Sequence, residues 1–292
     1  MPAERVAMRQ VREIIRLKFS AGIPTREIAR RLGVAASTVR ATLRRFEGAR
    51  LDWPKRVCNN IKGTDRRFLL GKHLSLTTTD QHKLGAYRAD PVGKPKGGIV
   101  VVQEIFGVNH HIRAVCDRVA ALGYVAVAPA VFDRFVRDFE SGYTPDEVAH
   151  ARSYIGDIHF GKMMRDLAAA QANMKDTGPF GVLGFCMGGT AAYLAACKLP
   201  GLSAAVGYYG GGVVKFIDET PACPVQLHFG SEDQSIPLSS VQEIQQKRPE
   251  LEVYIYEGAA HGFNCDERAS YKRDAAALAW NRTQKFMTKY IK

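Results

Sequence analysis

The stretch Gly181-Val-Leu-Gly184-Phe185-Cys186-Met187-Gly188-Gly189-Thr190 decides how this chain folds. An apolar run ends in a cysteine flanked by glycines, and a helix-forming run, Ala191 to Lys198, follows at once. That order predicts a strand, a tight turn and a helix: a nucleophile elbow, with cysteine where serine is commoner. The turn is so tight that the neighbours of the nucleophile must lack side chains. It lifts the thiol above the sheet edge and aims the next helix N-terminus at it. The N–H groups and positive partial charge there stabilise a thiolate and later an oxyanion. The plainer reading is a glycine-rich turn with a buried cysteine.

A nucleophile needs a base and a group that orients the base. In elbow enzymes these follow in the order acid, then histidine. Pro224 to Phe229 reads as a strand, and Gly230-Ser-Glu-Asp233 is the loop at its end. Leu251 to Tyr256 reads as the next strand, and Glu257-Gly-Ala-Ala-His261-Gly-Phe263 follows it. Asp233 and His261 are therefore expected on successive strand-end loops, on the same sheet edge as Cys186. A fourth candidate is Glu104, which ends the buried-strand run Gly98 to Val102. A carboxylate there is seldom buried without a task. Singly, Asp233, His261 and Glu104 also read as ordinary loop and strand-end residues.

The alternation continues on both sides. A hairpin is expected over Lys72–Thr79 and Lys83–Ala89, with its turn near Asp80-Gln81-His82. Strands are expected over 99–102, 124–128, 180–184, 204–208, 225–229 and 251–256. Helices are expected over 110–122, 160–175, 190–198 and 239–248, and Ser270 to Ile291 closes the unit. Strands alternating with helices predict a mostly parallel sheet covered on both faces, an α/β fold. Asp133 to Gly156 has the weakest pattern and lies where such enzymes often place part of a substrate lid.

At this point the chain resembles a known family. Gln103-Glu-Ile-Phe-Gly-Val-Asn109, Gly184-Phe-Cys-Met-Gly-Gly189, Gly207-Tyr-Tyr-Gly210 and Gly258-Ala-Ala-His-Gly-Phe263 are similar to the signature segments of dienelactone hydrolases (carboxymethylenebutenolidases). The likeness runs from about Leu70 to the C-terminus. It implies an α/β-hydrolase fold, a Cys186–His261–Asp233 triad, and an oxyanion hole built from the N–H groups of Met187 and Ile105. It also implies that Glu104 interacts with the resting thiol and helps to form thiolate when substrate binds. The implied reaction is hydrolysis of a lactone or carboxylic ester through an acyl-enzyme, with no metal or organic cofactor. Members of the family hold an anionic substrate with two arginines. Here Phe263-Asn264-Cys265 has none at the first position, and Arg268 is only nearby; Arg152 is the nearest basic residue to the second. With Tyr208, these are the candidates for holding substrate. A thioesterase or peptidase is a variant of the same reading, because a triad alone does not fix the acyl group.

Composition bounds the rest. The chain has 292 residues, 46% hydrophobic and 24% charged, ordinary for a globular protein. Its six cysteines show neither C-x-x-C spacing nor a metal pattern with the eight histidines. They suit a reducing cytoplasm, and the charged first twenty residues do not resemble a signal peptide. No apolar run approaches the roughly 20 residues of a membrane span. A cytoplasmic enzyme is therefore expected.

Charge is unevenly placed. Residues 1–56 hold 14 Lys/Arg against 5 Asp/Glu, a net of +9 out of +12 for the whole chain. Val6 to Phe19 has helical periodicity, with Val11, Ile14, Ile15 and Phe19 on one face. Thr25 is expected to cap a second helix, Arg26 to Leu32, that ends at Gly33, and Ala36 to Phe46 makes a third. Thr25-x-x-Ile28-Ala29-x-x-Leu32-Gly33-Val34-x-x-Ser37-Thr38-Val39 is a helix-turn-helix pattern. Ile28, Leu32, Val34 and Val39 form its small core. Ser37, Thr38, Arg40 and Arg44 are left outward, as candidates for contact with duplex DNA. A plain three-helix cap with a solvated basic face is the alternative. This segment resembles the N-terminal helix-turn-helix of insertion-sequence transposases. The expected organisation is residues 1–56, a linker over 57–69, and a hydrolase-like domain over 70–292. Two further readings follow from the basic segment: a DNA-binding regulator whose hydrolase-like domain senses a small molecule, and a mobile-element fragment with a passenger domain.

Overall fold

The computed structural model describes residues 14, 17–18, 23–48 and 71–292. Contacts divide the chain into two compact units, residues 1–68 and 69–292. In the first, helix α1 covers Thr25–Leu32 and helix α2 covers Ala36–Gly48. Gly33 closes α1 in the left-handed region, at φ 62°, and its N–H returns to the Ala29 carbonyl. Ile28, Ala29, Val39 and Leu43 are buried, while Leu32 and Val34 pack against them partly exposed. Thr25 does not cap α1. Pro24 takes that place, because its carbonyl already accepts from the N–H groups of Glu27 and Ile28, which draws Thr25 into the first turn. Of the helix expected over 6–19, Ile14, Leu17 and Lys18 are described, as helical, with Ile14 and Leu17 in the same small core. Val11, Ile15 and Phe19 and the linker over 57–69 lie outside the described residues.

The second unit begins with an antiparallel hairpin, β1 (Lys72–Thr77) and β2 (Lys83–Ala89). Strands β3 (Gly98–Val102), β4 (Val125–Pro129), β5 (Phe180–Phe185), β6 (Leu202–Tyr208), β7 (Val225–Gly230) and β8 (Glu252–Tyr256) complete an eight-stranded sheet. The order is β1-β2-β4-β3-β5-β6-β7-β8. β2 joins β4 antiparallel, and every pairing from β4 through β8 is parallel. β3 and β4 are buried at every position, as continuous apolar strands covered on both faces must be. This is the α/β-hydrolase architecture.

Among the described residues of this unit are six α-helices: α3 (His110–Ala121), α4 (Pro145–Ser153), α5 (Phe160–Ala172), α6 (Met187–Lys198), α7 (Leu238–Lys247) and α8 (Arg273–Tyr290). The strand order explains where a site forms. The chain steps from β3 outward to β4, returns across β3 to β5, and continues to β8. Right-handed crossovers then place α3 on one face and α5 and α6 on the other. The reversal between β3 and β5 opens a crevice at their carboxyl ends. Glu104 and Cys186 both leave the sheet there. The weakly patterned stretch, Asp133 to Gly156, contains α4, held at its start by a Thr144–Glu147 capping box. Its aromatic residues pack on one another, with the Phe139 ring 5.2 Å from that of Tyr154.

Candidate active site

Cys186 sits between β5 and α6 with φ 55° and ψ −118°, a conformation rare for a residue with a side chain. α6 begins at Met187, three residues before the expected start, so Gly188 and Gly189 lie inside its first turn while Gly184 stays in β5; Gly184 and Gly188 sit where the backbones crowd. They are needed there for close approach. A Cβ on Gly184 would lie 1.8 Å from the Gly188 carbonyl oxygen, and one on Gly188 would lie 2.4 Å from that of Val102. Gly188 thus lets the end of β3 pass directly over the elbow and brings Glu104 with it.

The loops after β7 and β8 deliver the other two expected residues. His261 Nε2 lies 3.2 Å from Cys186 Sγ, and His261 Nδ1 lies 2.7 Å from Asp233 Oδ2. The Asp233 side chain is fully buried, and its second oxygen accepts from the N–H of Ser235 at 2.9 Å. Burial works against a charged imidazole here. The sulfur of Cys186 and the carboxylate of Asp233 outweigh it, and His261 is pushed up to about 10. The imidazole therefore favours the proton.

Glu104 is buried beside this array. Its Oε1 accepts from Arg268 Nη1 at 3.1 Å, whereas the thiol faces His261. The expected contact between Glu104 and the resting thiol is therefore replaced by an ion pair with Arg268. Arg268, seven residues after His261, reaches back across Gly262, where a Cβ would lie 2.4 Å from Nη1. Its guanidinium lies 5.6 Å from the centre of the Phe106 ring and 5.8 Å from that of Tyr143. Two histidine–carboxylate pairs, His110–Glu267 and His111–Asp266, tie the loop that carries it to the start of α3.

Not every expected residue arrives. Tyr208 is fully buried, and its hydroxyl is 2.7 Å from Thr283 Oγ1. It belongs to the core rather than to a substrate site, because it is the last residue of β6 and faces α8. Its neighbour Tyr209 turns to the other side, with its ring centre 5.0 Å from that of His261. The doublet Tyr208-Tyr209 does not reveal which ring faces the site, since that depends on the backbone of Tyr209, at φ 39°. Tyr143 was also missed, lying in the weakly patterned stretch. Arg152 is exposed on α4 and has no hydrogen bond or ion pair with the triad residues. The buried Asp166 is held by Arg134, at 2.8 Å. The N–H groups of Met187 and Ile105 donate to no other described residue. On α2, Ser37, Arg40 and Arg44 are exposed and Thr38 is half-buried. Among the described residues, no cluster of three or more His, Cys, Asp or Glu is placed to hold a metal ion, and no helix is long and apolar enough to cross a membrane.

Known proteins place this geometry in a family. Residues 84–291 match the dienelactone hydrolase family, and residues 7–52 match a homeodomain-like domain. A Synechocystis sp. protein, provisionally named a carboxymethylenebutenolidase, is 37% identical over 231 residues, covering 72% of this chain and 93% of its own. The carboxymethylenebutenolidase of Pseudomonas putida is 31% identical over 234 residues, covering 75% and 97%. A solved Klebsiella pneumoniae structure, provisionally named a dienelactone hydrolase, superposes with a TM-score of 0.65 at 30% identity, covering 75% of this chain and all of that one. The chain belongs to the dienelactone hydrolase family and is a carboxylic ester hydrolase, with a homeodomain-like segment ahead of its catalytic unit.

Proposed function

We propose that this enzyme hydrolyses lactones and carboxylic esters through an acyl-enzyme on Cys186. The single observation that supports this most is His261 bridging Cys186 Sγ at 3.2 Å and Asp233 Oδ2 at 2.7 Å. The sulfur attacks the ester carbonyl as thiolate, and the N–H groups of Met187 and Ile105 receive the oxyanion. The ring or alcohol oxygen leaves with the proton from His261. His261 then takes a proton from water, which attacks the thioester and releases Cys186. Asp233 fixes the imidazole tautomer throughout. No metal or organic cofactor enters these steps.

Glu104 and Arg268 support an anionic substrate. A substrate carboxylate drawn to Arg268 would compete with Glu104 for the guanidinium and leave the glutamate next to the elbow as a second proton acceptor. The test is hydrolysis of dienelactones and neutral aryl esters by the parent and by Cys186→Ala. Loss of both activities in the variant is expected. Comparable turnover without the thiol, with contaminating esterase excluded, would overturn the reading.

The homeodomain-like match and the outward Ser37, Thr38, Arg40 and Arg44 favour a second activity, binding of duplex DNA through phosphates. We infer that residues 1–56 form a module separate from the hydrolase unit. A chain starting at Leu69 should then keep parental kinetics and lose DNA binding.

A further inference from the structure

The triad explains how the thiol is activated but not where the second nucleophile, water, is held. Two buried polar atoms in this corner bear on that. The Tyr209 hydroxyl and Glu104 Oε2 are both buried, and neither has a hydrogen-bond partner among the described residues. An unbonded buried hydroxyl costs free energy that phenylalanine would avoid, so its presence asks for a partner.

Tyr209 is also placed by force. It is a non-glycine residue at φ 39°, held there while its N–H donates to the His228 carbonyl at 2.7 Å. Such strain persists where surrounding structure imposes it and gathers at functional sites. The ring stays fully buried at the margin of the core, where it packs on Phe263 at 5.7 Å, on Phe185, which precedes the nucleophile, at 6.3 Å, and on His261 at 5.0 Å. Burial keeps the phenol protonated, a donor, and the Glu104 carboxylate adds to the effect. Other buried polar atoms on these loops are unpartnered too. Tyr209 is the one of them whose ring packs on His261.

We propose that Tyr209 is a positioning residue that, with the unpaired oxygen of Glu104, holds the water that hydrolyses the acyl-enzyme. This rests on the acyl-enzyme reading above. The water oxygen accepts from the Tyr209 hydroxyl. One of its hydrogens points to Glu104 Oε2 and the other to His261 Nε2. Its remaining lone pair attacks the thioester carbon. The proton passes to His261, the C–O bond forms, and the C–S bond breaks. Cys186 leaves as thiolate beside the imidazolium, and the product is a carboxylic acid, which ionises to solvent.

The test is Tyr209→Phe, with p-nitrophenyl acetate as the acyl donor. The rates of acetylation and of loss of the acetyl group are read separately by rapid quench and intact-protein mass. Acetylation at the parental rate is expected, with deacylation slower by about tenfold or more, the worth of one hydrogen bond to the reacting water. Hydroxylamine, which needs no held water, should remove the acetyl group from variant and parent equally fast. The melting temperature should match or exceed that of the parent, since the removed hydroxyl has no partner. Parental deacylation in Tyr209→Phe would overturn the proposal. So would acetylation and hydroxylamine cleavage falling together with hydrolysis, which marks a disturbed site. If the parent itself forms no acyl-enzyme, the triad reading fails instead.

Discussion

Two histidines in this enzyme stand in regions built from the same residue types and are driven to opposite charge states. His228 lies fully buried in β7. Its Nδ1 is 2.8 Å from the Tyr256 hydroxyl, and its Nε2 is 3.0 Å from Gln226 Oε1 and 3.2 Å from Thr283 Oγ1. Burial pushes it down to about 3, with Arg282 adding to the effect. At the carboxyl edge of the sheet, His261 goes the other way, to about 10. Around His228 the polar groups bond to one another and the network closes. Around His261 the polar groups are not all used: the Tyr209 hydroxyl, whose ring packs on the imidazole, and the buried Glu104 Oε2 have no hydrogen-bond partner among the described residues. The closed network ties β6, β7 and β8 to α8, while the open one is the proposed site of catalysis.

The largest expected effect tests that division. Cys186→Ala should lose at least about three orders of magnitude in kcat, as removal of a triad nucleophile does elsewhere. His228→Gln should keep parental kcat per folded molecule and lose on the order of 1–3 kcal/mol of stability in urea unfolding. A folded His228→Gln enzyme without activity would break the comparison.

Glu104→Gln and Arg268→Met come next. Both should fold, and both should slow hydrolysis of anionic esters by about tenfold or more through loss of a charge-assisted pair. Arg268→Met should act mainly on KM for anionic substrates, leaving neutral aryl esters closer to parental. Equal losses on both substrate types would remove Arg268 from carboxylate recognition.

A smaller effect concerns pH. His228 is depressed below its unfolded value of 6.5, so the unfolded chain binds more protons in acid. Its contribution is present above about 6.5 and is lost as pH falls toward 3. His261 is raised, so its contribution is present below 6.5 and is lost as pH rises toward 10. Urea unfolding across pH 4 to 9 should show the acid limb flattened in His228→Gln and the alkaline limb flattened in His261→Gln, on the order of a few kcal/mol at most. Unchanged limbs would show that these histidines do not differ from the unfolded chain.

The His261 side of this contrast is legible in the sequence, whereas nothing in the sequence singles out His228. Gly184-x-Cys186-x-Gly188 and the order Asp233 then His261 are local patterns, and strand-end placement brought them together. The Gly207-Tyr-Tyr-Gly210 segment points to Tyr208 as a substrate contact, because its spacing does not show that Tyr209 leaves the strand with positive φ. Arg268 reads only as nearby for the same kind of reason. Its reach over Gly262 to Glu104 depends on a turn whose path no spacing rule gives. The cap of α1 was assigned to Thr25, although Pro24, with no N–H of its own, already offered its carbonyl to the first turn.

The smallest expected effect lies in the N-terminal unit. Full-length protein should bind mixed-sequence duplex weakly, with affinity falling steeply as salt rises. Arg40→Ala and Arg44→Ala should each reduce the slope of log affinity against log salt by about 1. An unchanged slope would mean that the basic face of α2 does not meet phosphate.

The most direct measurement is the location of the acyl group. The parent enzyme is mixed with p-nitrophenyl acetate, quenched in acid within the first turnover, digested and mapped by mass spectrometry. One acetyl group per chain, on the peptide that contains Cys186 and absent in Cys186→Ala, is the expected result. Acetyl on another residue, or rapid hydrolysis with no acylated peptide at any quench time, would contradict a hydrolase that works through the Cys186 thiolate.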